Sequence, residues 1–166
     1  YGTSRNDFKG KRIRRIRKHE MREAAKAYGT KLDGKPKINL IWFGEIDGYL
    51  PFNKRVFLKL KTLILNLKPH VVIAPDSFFS LDLHPDHLHT GWLVYVAIKS
   101  MKPFQRPLLL LYHSFNPNFY ITIKDLSIQM EALSKHASQI SPLGLKYLKL
   151  IRGISVSYTH LRAHET

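Results

Sequence analysis

Residues 71–91 read VVIAPDSFFSLDLHPDHLHTG, a short apolar run followed by a polar loop and a helix. Val71–Pro75 is too short for a helix, so this run predicts a buried strand. Pro85 suits the first position of a helix, where its missing N–H is not needed, and the helical pattern runs to Met101. Ligands of open α/β sheets bind beyond the carboxyl ends of strands, so the loop between these elements is the predicted site.

The same alternation of elements continues on both sides of this stretch. Helical periodicity predicts helices at residues 11–28, 54–67, 128–140 and 143–151. Short apolar runs predict further strands at residues 38–43 (INLIWF), 108–112 and 119–123. Strands that alternate with helices predict an open α/β domain with a mostly parallel sheet.

Length and composition exclude several classes of protein. The 166 residues are 44% hydrophobic, enough for one domain with a core of its own. Cysteine is absent, which excludes disulfides, thiolate metal sites and cysteine nucleophiles. No apolar run approaches the length of about 18 residues that predicts a membrane-spanning helix.

The formal net charge of +15 is concentrated near the start of the chain. Residues 1–37 hold 13 basic and 4 acidic side chains, which leaves +9 in this stretch. A basic excess attracts polyanions, so a nucleic-acid-binding module led by residues 9–22 is one hypothesis. No aromatic residue lies between Phe8 and Tyr28 to stack on bases, and we therefore expect no nucleic-acid partner.

Both ends of the sequence look unnatural. The chain opens at Tyr1, and its last eleven residues, VSYTHLRAHET, resemble a translated sequencing adapter. We therefore expect residues 156–166 to lie outside the fold and residues 1–155 to form a partial α/β domain, truncated at the N-terminus and at the C-terminus as well. His160 and His164 are accordingly not candidates for metal ligands.

The residues with the clearest chemistry are His84-Pro85-Asp86-His87. His84 falls near the helix cap and His87 about one turn on, so the two imidazoles can converge on one point. Imidazole nitrogens bind zinc, and a carboxylate between them can orient one ring. A plain polar helix cap is the alternative interpretation. His89 points elsewhere on the helix and is left out of the site.

Five motifs in order make the chain resemble the PIG-L/LmbE family of zinc-dependent de-N-acetylases, from about Ile13 to Arg152. The first is Arg17-x-x-Glu20, and the second is Asp47-Gly48. The remaining three are Lys68-Pro69-His70 leading to Pro75-Asp76, His84-Pro85-Asp86-His87 with Gly91, and a late helix ending in His136, Ser138 and Gln139. The family's His-Pro-Asp-Asp motif is not present, and its place lies upstream of Tyr1.

The resemblance implies a Rossmann-like three-layer α/β fold and a reaction. The reaction is hydrolysis of an N-acetyl group from an amino sugar or sugar conjugate by a water that a zinc ion activates. His87 would be a zinc ligand, His84 and Asp86 catalytic, and Arg17 and Asp47 substrate-binding residues. The resemblance implies that Asp86 keeps His84 charged and oriented. Since this piece lacks the upstream ligands, its zinc site is incomplete and we expect it to be inactive alone.

Alternatives remain for the function and for single residues. A catalytically dead family member that binds a glycan or a partner would have the same motifs. Arg17 also fits a solvated basic helix face, His136 and Gln139 fit a structural role closing the late helix against the sheet, and His113 is undecided. The basic excess is compatible with an anionic substrate. We expect a cytoplasmic protein.

Overall fold

A computed structural model describes residues 10–122, 126–154 and 158–164. The helices are α1 (Gly10–Lys26), α2 (Lys54–Leu67), α3 (Pro85–Lys99), α4 (Ser127–Ser134) and α5 (Pro142–Ile154), with a 3₁₀ turn at Pro103–Gln105. The strands are β1 (Val71–Pro75), β2 (Leu108–Tyr112), β3 (Phe119–Thr122) and β4 (Tyr158–His164). None of the helices in these ranges is long and apolar enough to cross a membrane.

The described residues divide into two compact units. Residues 45–122 and 158–164 form the first, called the sheet unit. Residues 10–44 and 126–154 form the second, called the helical unit. The candidate site lies in the sheet unit.

The four strands form one sheet in the order β1-β2-β4-β3. β1 and β2 are parallel, with Val71 opposite Leu108 and Pro75 opposite Tyr112. The predicted α/β class is confirmed, and β1 and β2 show the predicted parallel pairing. The ladders of β4 with β2 and β3 are antiparallel.

The position of β4 differs from the expectation that residues 156–166 lie outside the fold. Tyr158–His164 pairs with β2 on one side and β3 on the other, while the rest of that tail lies outside the described residues. Ladder hydrogen bonds use backbone groups, so an extended segment can fill the gap between two strand edges whatever its side chains are. The adapter origin of the segment stays a prediction.

The core of the sheet unit lies between the helices α2 and α3 and the strands β1 and β2. α2 packs against α3, and α3 against β1. Eight buried side chains form this core: Ile64, Ala74, Val94, Ala97, Ile98, Met101, Leu109 and Leu111. This core covers Ala74 of β1 and Leu109 and Leu111 of β2. Val71 and Ile73 are exposed, so the predicted burial of β1 is only partly right. α2, β1 and β2 have the predicted bounds.

Gly91 allows α3 to approach the end of β1 closely. A Cβ atom at this position would lie 2.1 Å from the Ser77 hydroxyl oxygen and 2.3 Å from the Pro75 carbonyl oxygen. The Ser77 hydroxyl in turn donates a 2.7 Å hydrogen bond to the Leu88 carbonyl. The absence of a side chain at residue 91 therefore sets the spacing between the start of α3 and the end of β1.

The helical unit is held together by a polar contact between distant parts of the chain. Glu20 of α1 is buried, and its carboxylate accepts hydrogen bonds from the Ser138 N–H (2.7 Å) and the Ser138 hydroxyl (2.6 Å). The predicted helix at residues 128–140 ends at Ser134, and turns follow through Gln139. The Ser138 N–H pairs with Glu20 rather than within a helix. Ser138, rather than His136 or Gln139, makes this tertiary contact.

The predicted strand at residues 38–43 is wrong. No strand pairs with this run in the described part of the chain, and Ile41 and Trp42 are 51% and 41% exposed. Ile38 and Leu40 instead line a cavity of about 370 Å³ with the last turns of α1. An apolar run indicates a need for burial, but a strand also requires a neighbouring edge to pair with.

Candidate active site

The site loop, residues 76–84, runs from the carboxyl end of β1 to the start of α3. Backbone hydrogen bonds tie it to the residues after β2: the Leu81 N–H donates to the His113 carbonyl, and the Phe115 N–H to the Phe79 carbonyl, each at 2.7 Å. The structure thus places the predicted cluster at the carboxyl ends of two adjacent parallel strands, where α/β proteins bind ligands.

Asp76 fixes the beginning of this loop. Its side chain is fully buried, and one carboxylate oxygen, Oδ1, accepts the N–H groups of Phe78 (2.7 Å) and Phe79 (3.0 Å). The other oxygen, Oδ2, has no hydrogen-bond partner among the described residues. Asp76 therefore turns the chain sharply away from the strand, as aspartate does in Asx turns.

His84 caps α3. Its backbone is extended, and its Nδ1 accepts the Asp86 N–H at 3.3 Å. The polar-cap interpretation is therefore what the geometry shows. An Nδ1 that accepts a hydrogen bond carries no proton, so the neutral ring has its proton on Nε2. The exposed ring can offer this N–H to a ligand.

Asp86 contacts a different loop from the one expected. Its Oδ2 accepts the Gly48 N–H at 2.6 Å, and its Oδ1 accepts the Leu50 N–H at 2.9 Å. Both oxygens thus bind backbone, and the expected orientation of an imidazole by Asp86 is not what the structure shows. Asp47 lies in the adjoining turn, where Gly48 has a φ of +85°. Asp86 therefore anchors the Asp47 turn to the start of α3.

The carboxylate that contacts the His87 imidazole is Asp82. The distance from His87 Nδ1 to Asp82 Oδ2 is 2.5 Å, and His113 Nδ1 lies 3.6 Å from the same oxygen. The rings of His84 and His87 are tilted, with centroids 5.1 Å apart, so the structure brings the two predicted imidazoles together. The hydrogen bond from the His84 N–H, and next that from His87, hold the pKa of Asp82 below its usual value.

Asp82 is the residue that sequence reasoning missed. The sequence does contain a signal, because Asp82 lies five positions before His87. Whether its carboxylate reaches the His87 ring depends on how the backbone of the loop folds, which the spacing alone does not specify. His113 was undecided in sequence, and its backbone lies in the left-handed region at a φ of +59° directly after β2.

Two further predictions concern residues away from this cluster. His89 Nδ1 donates a 2.7 Å hydrogen bond to the Leu50 carbonyl, which directs this ring to the backbone after the Asp47 turn. Arg17 is half-buried on α1, in the helical unit.

The described residues do not complete a metal site. They contain no group of three or more His, Asp, Glu or Cys side chains that could hold a metal ion. His87 by itself has the geometry of one ligand, because a metal-bound histidine usually donates its other ring N–H to a carboxylate. With Nδ1 against Asp82, its Nε2 remains for a ligand.

Comparison with known proteins adds a family and a relative. The family model for PIG-L, GlcNAc-PI de-N-acetylase, matches residues 1–98. The diacetylchitobiose deacetylase of Thermococcus kodakarensis is 27% identical over 153 residues, an alignment that covers 83% of this chain and 55% of the relative. The chain thus spans about half the length of the curated relative that it matches.

Solved structures share the fold. An N,N'-diacetylchitobiose deacetylase from Pyrococcus horikoshii aligns with a TM-score of 0.81 and 23% identity over 98% of this chain and 68% of its own. A conserved protein of Thermus thermophilus aligns with a TM-score of 0.67 and 25% identity over 91% and 74%. A 4-carboxy-2-hydroxymuconate hydratase from Pseudomonas putida aligns at 0.66 and 14% over 98% and 77%. Because a hydratase shares the fold, the fold alone does not identify the reaction.

Proposed function

The chain belongs to the PIG-L family of de-N-acetylases, and from this premise we propose that the full-length protein hydrolyses the N-acetyl group of an amino sugar or sugar conjugate. The observation that carries the proposal is the pair of imidazoles, His84 and His87, at the carboxyl ends of β1 and β2. The deacetylase relative supports the amide as the bond that is cleaved.

We further propose that the reaction uses zinc, with His87 Nε2 as one protein ligand. The described residues fit this single position and do not supply the others. When bound, zinc lowers the pKa of a water molecule and so supplies a nucleophile at neutral pH. The orientation of His87 by a carboxylate is the feature of this chain that supports the assignment.

The other proposed roles follow from hydrogen-bonding capacity. The Nε2–H of His84 would donate to the amide oxygen as negative charge develops on it. Asp86 would act by holding the first turn of α3 against the Asp47 turn, rather than by touching the substrate. Asp47 is exposed in that turn and could accept a sugar hydroxyl, and Arg17 remains a substrate-binding proposal.

The test is acetate release from N,N'-diacetylchitobiose by the full-length protein, with and without a chelator. We expect His84→Ala to lower kcat by about 10²–10³, the usual effect of removing one oxyanion donor. His87→Ala should lower zinc affinity as well as activity. His70→Ala is the matched control, because His70 is exposed and precedes β1 at its opposite end.

Two results would count against the proposal. Wild-type rates in both the His84 and the His87 variants would refute the assigned roles. Binding of the sugar by the wild-type protein without any acetate release would instead support the alternative, a catalytically inactive family member that binds a glycan.

A further inference from the structure

Asp82 belongs to none of the motifs that carry the resemblance, yet both of its carboxylate oxygens face residues of the site. Its Oδ1 accepts the His84 N–H at 2.9 Å, and its Oδ2 faces the Nδ1 atoms of His87 at 2.5 Å and His113 at 3.6 Å. The Asp82 N–H donates to the Ser80 hydroxyl oxygen at 3.0 Å, and that hydroxyl donates to the Asp82 carbonyl. These hydrogen bonds with Ser80 fix the backbone of Asp82 and so help to fix the position of its carboxylate.

We propose that Asp82 is a positioning residue that fixes neutral His87 as the tautomer with its proton on Nδ1, leaving the lone pair of Nε2 free. An ionised carboxylate can only accept hydrogen bonds, so a ring nitrogen at 2.5 Å from it must carry the proton. In water the neutral histidine ring prefers the proton on Nε2. The contact thus imposes the less common tautomer.

The geometry singles out His87 among the neighbouring rings. His113 lies 3.6 Å from the shared oxygen, which is beyond hydrogen-bond range. His84 has the opposite arrangement, since its Nδ1 accepts the Asp86 N–H. Asp86 cannot replace Asp82, because both of its oxygens are occupied by the backbone of the Asp47 turn.

Asp82 couples this tautomer to the shape of the loop. Its second oxygen binds the backbone of the residue that caps α3, so the same carboxylate fixes the helix start and the ring one turn further on. The role of this tautomer rests on the proposed function: a metal binds an unprotonated ring nitrogen, and the tautomer leaves Nε2 of His87 unprotonated.

The test is nuclear magnetic resonance of the full-length protein labelled with ¹⁵N-histidine, freed of metal and held at one pH at which the rings are neutral. Long-range ¹H–¹⁵N correlations distinguish a protonated from an unprotonated ring nitrogen. We expect His87 to show a protonated Nδ1 and His84 a protonated Nε2. A His87 ring protonated on Nε2 in the wild-type protein would overturn the inference, and this result does not depend on any variant.

Variants then test the cause. In Asp82→Ala we expect His87 to revert to the Nε2–H tautomer, and in Asp82→Asn, whose amide oxygen still accepts, to show a mixture. Asp33→Ala is the control, because Asp33 is an exposed carboxylate paired with Lys35 in the helical unit. An unchanged His87 tautomer in a folded Asp82→Ala protein would overturn the inference.

Zinc affinity, measured by competition with a chromophoric chelator, separates this inference from the proposed function. Loss of the group that orients a metal-bound histidine typically lowers metal affinity about 10–100-fold, so we expect that loss in Asp82→Ala and none in Asp33→Ala. If the wild-type protein shows the expected tautomer but binds no zinc, the inference stands and the zinc-dependent function fails.

Discussion

Replacement of Gly91 by alanine tests how α3 is placed against β1. The added Cβ would overlap the Ser77 hydroxyl oxygen at 2.1 Å and the Pro75 carbonyl oxygen at 2.3 Å. The hydroxyl can rotate away, but only by giving up its hydrogen bond to the Leu88 carbonyl. The Pro75 carbonyl is strand backbone and cannot move unless β1 or α3 shifts.

The expected loss follows from three contributions. The lost hydrogen bond is worth about 1 kcal/mol, and overpacking typically costs about 1–3 kcal/mol. Alanine regains about 1 kcal/mol over glycine through its helix propensity. We therefore expect the free energy of unfolding to fall by about 1–3 kcal/mol in Gly91→Ala. His87 lies four residues earlier on the same face of α3, so a shift of the helix also moves this ring.

Urea denaturation followed by circular dichroism measures the effect. Gly144→Ala in α5 is the matched control, because the nearest contact of its new Cβ, the Ser141 hydroxyl oxygen, would lie at 3.3 Å, and we expect the free energy of unfolding to change by less than about 1 kcal/mol. Adding Ser77→Ala removes the closer overlap and leaves the carbonyl, so the double variant should recover only part of the loss. Gly91→Ala as stable as the wild-type protein would refute this account of the packing.

Three further predictions concern other parts of the chain. Glu20→Ala leaves the buried Ser138 N–H without its acceptor, so we expect the free energy of unfolding, measured by urea denaturation, to fall by about 1.5–3 kcal/mol. We expect a smaller fall for Ser138→Ala, which keeps this N–H. Equal stability of Glu20→Ala and the wild-type protein would contradict this prediction. Burial, and secondly the charge of Asp82, raise the pKa of Tyr112 above its usual value of 10.0. The contribution of Tyr112 to the free energy of unfolding is therefore complete below about pH 10 and is lost as pH rises through the folded-state pKa. Tyr112→Phe should accordingly flatten the dependence of the free energy of unfolding on pH between about pH 9 and 12. Deletion of residues 156–166 removes β4 from between β2 and β3, and we expect a lower urea midpoint; an unchanged midpoint would favour the adapter origin of this segment.

Local patterns predicted much of the sheet unit. α2, β1 and β2 were predicted with their observed bounds, because an amphipathic period of 3.6 residues and short apolar runs bounded by proline are strong local signals. Residues 38–43 also carry a largely apolar run, but strand formation depends on a partner edge that the run itself does not specify. The basic helix α1 contains no aromatic residue, yet the structure brings one beside it. The Lys18 Nζ lies 5.3 Å from the centroid of the exposed Trp42 ring, and this contact between distant residues could not be predicted from the sequence of α1.

The sequence by itself determined the α/β class, the family and the position of an imidazole pair at a helix start. All three depend on which residue types lie a few positions apart in the chain, and such local patterns can be read directly from the sequence. Only the tertiary structure decided which carboxylate binds which partner. Asp86 bonds the backbone of residues 38 and 36 positions earlier, and Asp82 meets His87 because the loop after β1 folds back against the end of β2. Such hydrogen bonds depend on the path of the backbone between distant segments, and that path is fixed by the pairing of β1 with β2 and by the close approach of α3 at Gly91.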